Sequence, residues 1–402
     1  MSTLKLGILR EGKIPHDKRV AITPQQGAEL VALFPEVDLR IQPCEYRCYS
    51  NDEYRAFGLN LLEDLSDCDI LVGIKEVQKA DLIAGKKYVF FSHTIKKQAH
   101  NREMLREIIR KKITLIDYEC LTDKDGNRIL GFGRYAGIIG AYSGLLGYGK
   151  KYDLFHLKPA NDCRDRIELD EELKRVRLPN IKIIVTGGGR VANGALETLG
   201  ALKIRKVTPY EFYNYSFREP VYTQLHSKDY HVSKDGSPWS NENFYAHPED
   251  FKSTFQKFLP HCDLLIHCAF WSPDAPVLFT LNDMKNFTDF RVSVIADVTC
   301  DINGSIPSTV RASSIDKPFY GFNPVSQKED VPFSRNTITV MAVDNLPCEL
   351  PRDSSEDFGK SLIDRVFPAL FGNDRNGIIE RATIAKDGKL SPRFLYLSDY
   401  IS

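Results

Sequence analysis

The sequence has no Cys-x-x-Cys pair, no surplus of charge of either sign, and no apolar run near the roughly eighteen residues a membrane helix needs. Each absence excludes something. Nine cysteines stand scattered at 44, 48, 68, 120, 163, 262, 268, 300 and 348. Their odd number and lack of ligand spacing argue against a disulfide framework or a cysteine-built zinc site, and for reduced thiols that serve as small buried apolar residues. The 54 Lys and Arg balance the 54 Asp and Glu, so neither nucleic acid nor an acidic membrane surface is expected as a partner. The opening Met1-Ser-Thr-Leu-Lys-Leu-Gly-Ile lacks the apolar core of a signal peptide, and a cytoplasmic location is the expectation. Asp297, Cys300 and Asp301 crowd together, but no His or second cysteine completes a ligand set, so no metal is expected.

What is present reads as an ordinary soluble globular chain, with 42% hydrophobic and 27% charged residues. At 402 residues it is too long for one compact core and suggests two domains. The most informative stretch runs from Ile181 to Ala195. A β-branched run, Ile181 to Thr186, stops at Gly187-Gly188-Gly189, and a helix-forming run follows. Gly187, Gly189 and Ala192, with Arg190 and Val191 between them, fit the spacing of a dinucleotide-binding turn. Glycine is needed there because the turn is tight and the backbone must approach a pyrophosphate, which the following helix N-terminus attracts. About twenty residues on, the strand-like Lys206 to Phe212 places Glu211 where a ribose-binding carboxylate is expected.

Upstream, strands are expected over Leu4–Leu9, Asp38–Pro43, Asp69–Ile74, Tyr88–Ser92 and Thr114–Tyr118. Helices alternate with them, one opened by Thr23-Pro24 as cap and first turn. Nearly continuous apolar strands alternating with helices mean a parallel α/β sheet. Ligands of such sheets bind beyond the strands' carboxyl ends. Lys75, Glu76, His93 and Glu119 are the first polar residues past three strands, and Arg10 and Arg19 follow a fourth. Singly, each reads as a solvated loop residue. Together they gather a base, an imidazole, carboxylates and guanidiniums at one sheet edge.

Glycines 133, 137, 140 and 144 share one helical face and suit close helix packing. Residues 214–260 read as an insertion, and a last helix is expected from Ser354, with Asp357 in capping-box position, to about Phe371. The expected fold is α/β, two Rossmann-like domains with parallel sheets and an interdomain cleft. Residues 1–135 plus 345–402 form the discontinuous substrate domain, and 136–344 the dinucleotide-binding domain.

At this point the chain resembles the lysine-forming saccharopine dehydrogenases, relatives of alanine dehydrogenase and transhydrogenase, and among them the lysine–ketoglutarate reductase part of aminoadipic semialdehyde synthase. The resemblance is carried by Asp17-Lys-Arg19-Val-Ala-Ile-Thr-Pro24, Gly73-Ile-Lys75-Glu76, Phe90-Phe-Ser-His93-Thr-Ile-Lys96-Lys-Gln98 and Leu115-Ile-Asp-Tyr-Glu119. The glycine turn, Asp297 to Ser305, Val343-Asp344-Asn345-Leu-Pro347 and the tail from Ala382 carry it further.

The resemblance implies a reaction in which lysine and 2-oxoglutarate condense to an imine that NAD or NADP chemistry reduces to saccharopine, or the reverse. It implies Lys75 and His93 as the acid–base pair, with Lys96 and Arg19 as cations able to lower the lysine pKa. It makes Arg19 and Arg128 anchors for substrate carboxylates. Glu76 and Glu119 hold the substrate ammonium, and Asp344 lies near the nicotinamide. Arg190 and Arg218 are suited to a 2′-phosphate while Glu211 suits a free 2′-hydroxyl, so the cofactor remains NAD or NADP. Partners are small molecules, and the chain is expected as a monomer or small homo-oligomer. A related amino-acid dehydrogenase, alanine dehydrogenase-like, and a non-catalytic nucleotide-binding regulator are the alternatives.

Overall fold

A computed structural model describes residues 3–12, 14, 16–286 and 289–402. The chain divides into two compact units, residues 1–132 with 351–402, and residues 133–350.

The strands, in chain order, begin with β1 (Leu4–Ile8), β2 (Val37–Ile41), β3 (Asn60–Leu61), β4 (Ile70–Val72), β5 (Lys87–Phe90) and β6 (Thr114–Asp117). The second unit holds β7 (Lys182–Thr186), β8 (Arg205–Lys206), β9 (Val221–Leu225), β10 (His231–Ser233), β11 (Phe251–Ser253), β12 (Leu264–His267), β13 (Val294–Asp297), β14 (Phe319–Asn323), β15 (Lys328–Asp330) and β16 (Ile338–Met341). The chain returns to the first unit with β17 (Thr383–Lys386) and β18 (Lys389–Leu390).

In the first unit the eight-stranded sheet runs β18-β17-β6-β5-β4-β1-β2-β3. β1 to β6 are parallel, and β17 and β18 add an antiparallel edge. The expected strands before residue 120 are β1, β2, β4, β5 and β6. β4 is buried along its whole length, as a strand covered on both faces must be. The Thr23 cap is confirmed. Thr23 accepts from the Gln26 amide and Gln26 reaches back to Thr23, opening the helix Pro24–Leu33. The helix expected from Ser354 starts earlier, and two short helices, Ile378–Ala382 and Ser398–Ile401, follow it. It begins at Pro351, whose fixed φ suits a first turn, and Ser354 lies inside it.

The second sheet runs β15-β14-β16-β13-β12-β7-β9-β8, with β14 antiparallel to both of its neighbours, β16 and β15. The chain is therefore α/β, with two mixed, mostly parallel sheets. The strand beside β7 is β9, paired from Lys182–Val221 to Thr186–Leu225. Thus 221–225 belongs to the sheet rather than to an insertion, and the excursion proper is the β10–β11 hairpin with its loop. The expected strand Lys206–Phe212 is corrected too. Only Arg205–Lys206 is strand, at the sheet edge, because Thr208 caps and Pro209 opens a helix, Pro209–Asn214. The glycine-rich helix Gly133–Tyr152 packs within this unit on the helix Arg190–Ala201. A Cβ at Gly137 would stand 1.8 Å from the Val191 carbonyl oxygen, and one at Gly194 would stand 1.9 Å from that of Arg134.

Candidate active site and dinucleotide seat

The carboxyl end of the first sheet gathers the predicted acid–base residues. Just past β1, the buried carboxylate of Glu11 accepts the backbone N–H groups of Ile74 at 2.7 Å and Lys75 at 2.8 Å, just past β4. Glu11, Lys75 and Glu76 line one cavity of about 240 Å³, together with Arg10 and Gln78. Burial, reinforced by the nearby Asp17 carboxylate, raises the Glu11 pKa to about 7 against the two N–H donors that lower it. Sequence reading names Arg10 at this strand end and passes over Glu11. The signal it missed was an acid immediately beyond the first strand of a parallel sheet.

His93 follows β5 with φ 51°, a left-handed conformation uncommon outside glycine. Its Nδ1 lies 2.5 Å from Oε1 of Glu76. With Nδ1–H donating to that carboxylate, Nε2 is the ring nitrogen left to exchange a proton. The turn before His93 is anchored by buried Asp117, at the end of β6, which accepts the Ser92 amide at 3.0 Å and the Ser92 hydroxyl. Burial raises Asp117 to about 6 although the Ser92 hydrogen bond opposes it. An aromatic floor of Phe91, Tyr118, Phe132 and Phe358 lies beneath. Phe91 stacks on His93 and Phe132 lies under the Arg19 guanidinium, 4.1 Å from it.

Arg19 is 2% exposed and donates through Nε and Nη2 to both oxygens of Asp17, at 2.9 and 2.5 Å. Burial alone would raise Asp17, but the guanidinium outweighs it and holds the carboxylate at about 2. Arg19 is therefore already charge-paired. Glu119 accepts from Arg128 at 3.2 Å, so these two predicted residues stand together. The other Glu119 oxygen and the Tyr118 hydroxyl are buried without a hydrogen-bond partner. Buried acceptors left unmatched are costly, and a ligand ammonium would satisfy the carboxylate. Lys96 stands exposed in the turn after His93.

In the second unit, Gly187 leaves β7 at φ 95°, and a Cβ there would meet the Ala269 backbone at 3.1 Å. Gly189 caps the twelve-residue helix Arg190–Ala201, and a Cβ on it would meet nothing within 4 Å, so space lies before the helix N-terminus. Ala192 is fully buried, fitting the close helix–strand contact the motif requires. Gly187 to Val191 line a cavity of about 620 Å³ with His226, Ser227, Lys228, Asn241, Tyr245 and the segment 268–270. Backbone N–H groups, a helix dipole and missing side chains fit a dinucleotide pyrophosphate. Behind the turn, buried His267 holds the Thr186 and Ser305 hydroxyls at 2.7 Å through its two ring nitrogens.

The expectations for Glu211 and Arg218 are corrected here. Glu211 is not beside this cavity. Its carboxylate accepts the Thr208 N–H at 2.8 Å as the reciprocal half of a capping box. The next residue, Phe212, accepts from Lys182 at the first position of β7, which puts this helix at the amino end of the sheet. Arg218 precedes β9 and so also lies at that end. Asp344 is exposed just past β16, near Cys300, and does not line the cavity.

Comparison with known proteins gives consistent matches. Residues 7–139 match the model described as Alanine dehydrogenase/PNT, N-terminal domain, and residues 174–389 the corresponding C-terminal domain. Alpha-aminoadipic semialdehyde synthase of Arabidopsis thaliana is 28% identical over 98% of this chain and 41% of its own length. The chain thus spans less than half of that relative. Saccharopine dehydrogenase [NAD(+), L-lysine-forming] of Neurospora crassa is 25% identical, over 86% of each chain. A solved L-alanine dehydrogenase superposes over 99% of this chain with a TM-score of 0.66 at 17% identity, which speaks to the fold.

Proposed function

The chain belongs to the alanine dehydrogenase/PNT family, and from that premise we propose that it interconverts saccharopine with L-lysine and 2-oxoglutarate. It is a dehydrogenase of this superfamily. The finer reading rests on one observation, the grouping of Glu11, Lys75 and Glu76 around one cavity, with Glu76 hydrogen-bonded to His93.

The chemistry needs few groups. In the reductive direction the lysine ε-amine adds to the oxo carbon of 2-oxoglutarate, and loss of water gives an imine. A nicotinamide dinucleotide, when bound, supplies the hydride that reduces it, and accepts one in reverse. The chain's own residues manage protons. Lys75 exchanges a proton with the amine nitrogen, and His93 Nε2 exchanges one with the departing or attacking water. Glu76 fixes the His93 tautomer through its bond to Nδ1. Glu119 accepts the substrate ammonium and Arg128 faces a substrate carboxylate. Arg19, already neutralised by Asp17, is held as a buried pair rather than offered as a fork to a substrate carboxylate. The glycine turn and the Arg190–Ala201 helix hold the pyrophosphate.

The test is oxidation of reduced nicotinamide dinucleotide in the presence of 2-oxoglutarate and a panel of amines. Turnover with lysine and saccharopine as product is expected. Turnover only with another amine, or with ammonia, would move the assignment to a different amino-acid dehydrogenase. Cofactor binding without turnover on any amine would leave a nucleotide-binding regulator.

A further inference from the structure

Three neighbouring strands of the second sheet end level with one another, each on a buried polar side chain. The register pairs Thr186 of β7 with His267 of β12, and His267 with Asp297 of β13. Polar groups buried this deeply need hydrogen-bond partners, and the partners these three take join two separate loops.

Thr186 stands immediately before the glycine turn. Its hydroxyl accepts the Cys268 N–H at 3.1 Å, and the backbone of the next residue, Ala269, packs on Gly187. Asp297 holds the loop after β13, accepting the Thr299 hydroxyl at 2.7 Å and the Thr309 hydroxyl at 2.6 Å. Within that loop Cys300 and Asn303 take left-handed φ values of 49° and 54°, so its shape depends on bonds from outside it.

His267 lies between the two. Its Nδ1 meets the Thr186 hydroxyl and its Nε2 the Ser305 hydroxyl, both at 2.7 Å. Burial lowers its pKa, although the Asp297 carboxylate opposes this, so the ring is neutral at neutral pH. A neutral imidazole carries one donor and one acceptor, and a hydroxyl serves as either, so both bonds are satisfied. In a doubly wound sheet the adenosine half of a dinucleotide falls beside the strand next to the glycine-turn strand, here β9. The ends of β12 and β13, on the other side of β7, are left to the nicotinamide half.

We propose that His267 is a positioning residue that couples the two ends of the dinucleotide seat, locking the glycine turn to the loop around Ser305. The inference rests on the dinucleotide seat proposed above and adds what holds its two rims in register.

ADP, which carries only the adenosine and diphosphate, tests the coupling by calorimetric titration of the full chain. Ser305→Ala is expected to weaken ADP about three- to tenfold, although Ser305 lies past β13, two strands from the glycine turn. His267→Phe should weaken it about tenfold, and Ser305→Ala should add nothing in that background. Thr186→Val keeps the branched shape and should match His267→Phe, while Thr186→Ser keeps the hydroxyl and should recover most of the loss. If His267→Phe does not fold, Thr186→Val takes its place in the double-variant comparison. Ser305→Ala leaving ADP unchanged, or weakening it by the same factor with and without the His267 ring, would overturn the inference and leave the seat standing. So would a Thr186→Ser chain as weak as Thr186→Val. A parent chain that binds neither ADP nor NADH would overturn the seat itself.

Discussion

Glu11 holds Lys75 by its backbone. The Glu11 carboxylate accepts the amides of Ile74 and Lys75 at 2.7 and 2.8 Å, tying the loop after β1 to the end of β4. Two strands adjacent in the sheet are thereby closed at their carboxyl ends by one side chain, and Lys75 projects from a fixed backbone beside Glu76.

Replacing Lys75 by Met keeps most of the side-chain volume and removes the ammonium. Turnover should fall by about 10² to 10⁴, the range of a lost general acid–base group. The dissociation constant for the reduced dinucleotide should stay constant, since its seat is built from residues of the other unit. Steady-state kinetics and a binding titration separate the two, and an unchanged turnover number would remove Lys75 from the mechanism.

Stability should depend on pH through Glu11. Its folded pKa is about 7 against an ordinary value of 4.5. Between these values the folded chain binds more protons than the unfolded one, so stability declines as pH rises through that window. Glu11→Gln removes this contribution. Urea unfolding at pH 5 and pH 8 should show a smaller decline in the variant than in the parent, and equal declines would contradict the raised pKa.

Asp17 and Arg19 form a buried pair, each side chain 2% exposed. Asp17→Asn removes the carboxylate that balances the buried guanidinium and should cost about 3–5 kcal/mol. The denaturant midpoint of the first unit reports it. A loss below about 1 kcal/mol would mean that the pair is worth no more than an exposed one.

Gly194→Ala should disturb the nucleotide seat from outside it. The added methyl would lie 1.9 Å from the Arg134 carbonyl oxygen, so the helices Gly133–Tyr152 and Arg190–Ala201 must part. Overpacking of this kind costs about 1–3 kcal/mol. Weakened dinucleotide binding with retained far-ultraviolet circular dichroism is the expected result, and unchanged binding would show that the helix pair can shift without moving the turn.

Much of this architecture was legible in the chain. Apolar runs mark β4, β5 and β6, because a strand buried on both faces tolerates little else, while β2 shows the alternation of a half-buried strand. The glycine turn is equally plain, since its chemistry needs missing side chains at set positions. Thr208-Pro209-Tyr210-Glu211 carries the same cap signature as Thr23-Pro24-Gln25-Gln26 and marks a helix just as clearly. Reading Lys206 to Phe212 as a strand favoured its β-branched start over that cap, and Glu211 was misplaced with it.

By itself, then, the sequence determined the alternation of strands and helices, the turn that meets a pyrophosphate, and the acids, imidazole and lysine at strand ends. These depend on periodicity and on residue types a few positions apart. Only the tertiary structure decided that β9 lies beside β7, that Asp17 neutralises Arg19, and that Glu11 grips Lys75. The strand order and the Glu11 clamp are long-range pairings. The Asp17–Arg19 pair spans two residues but depends on a loop conformation that the rest of the fold imposes.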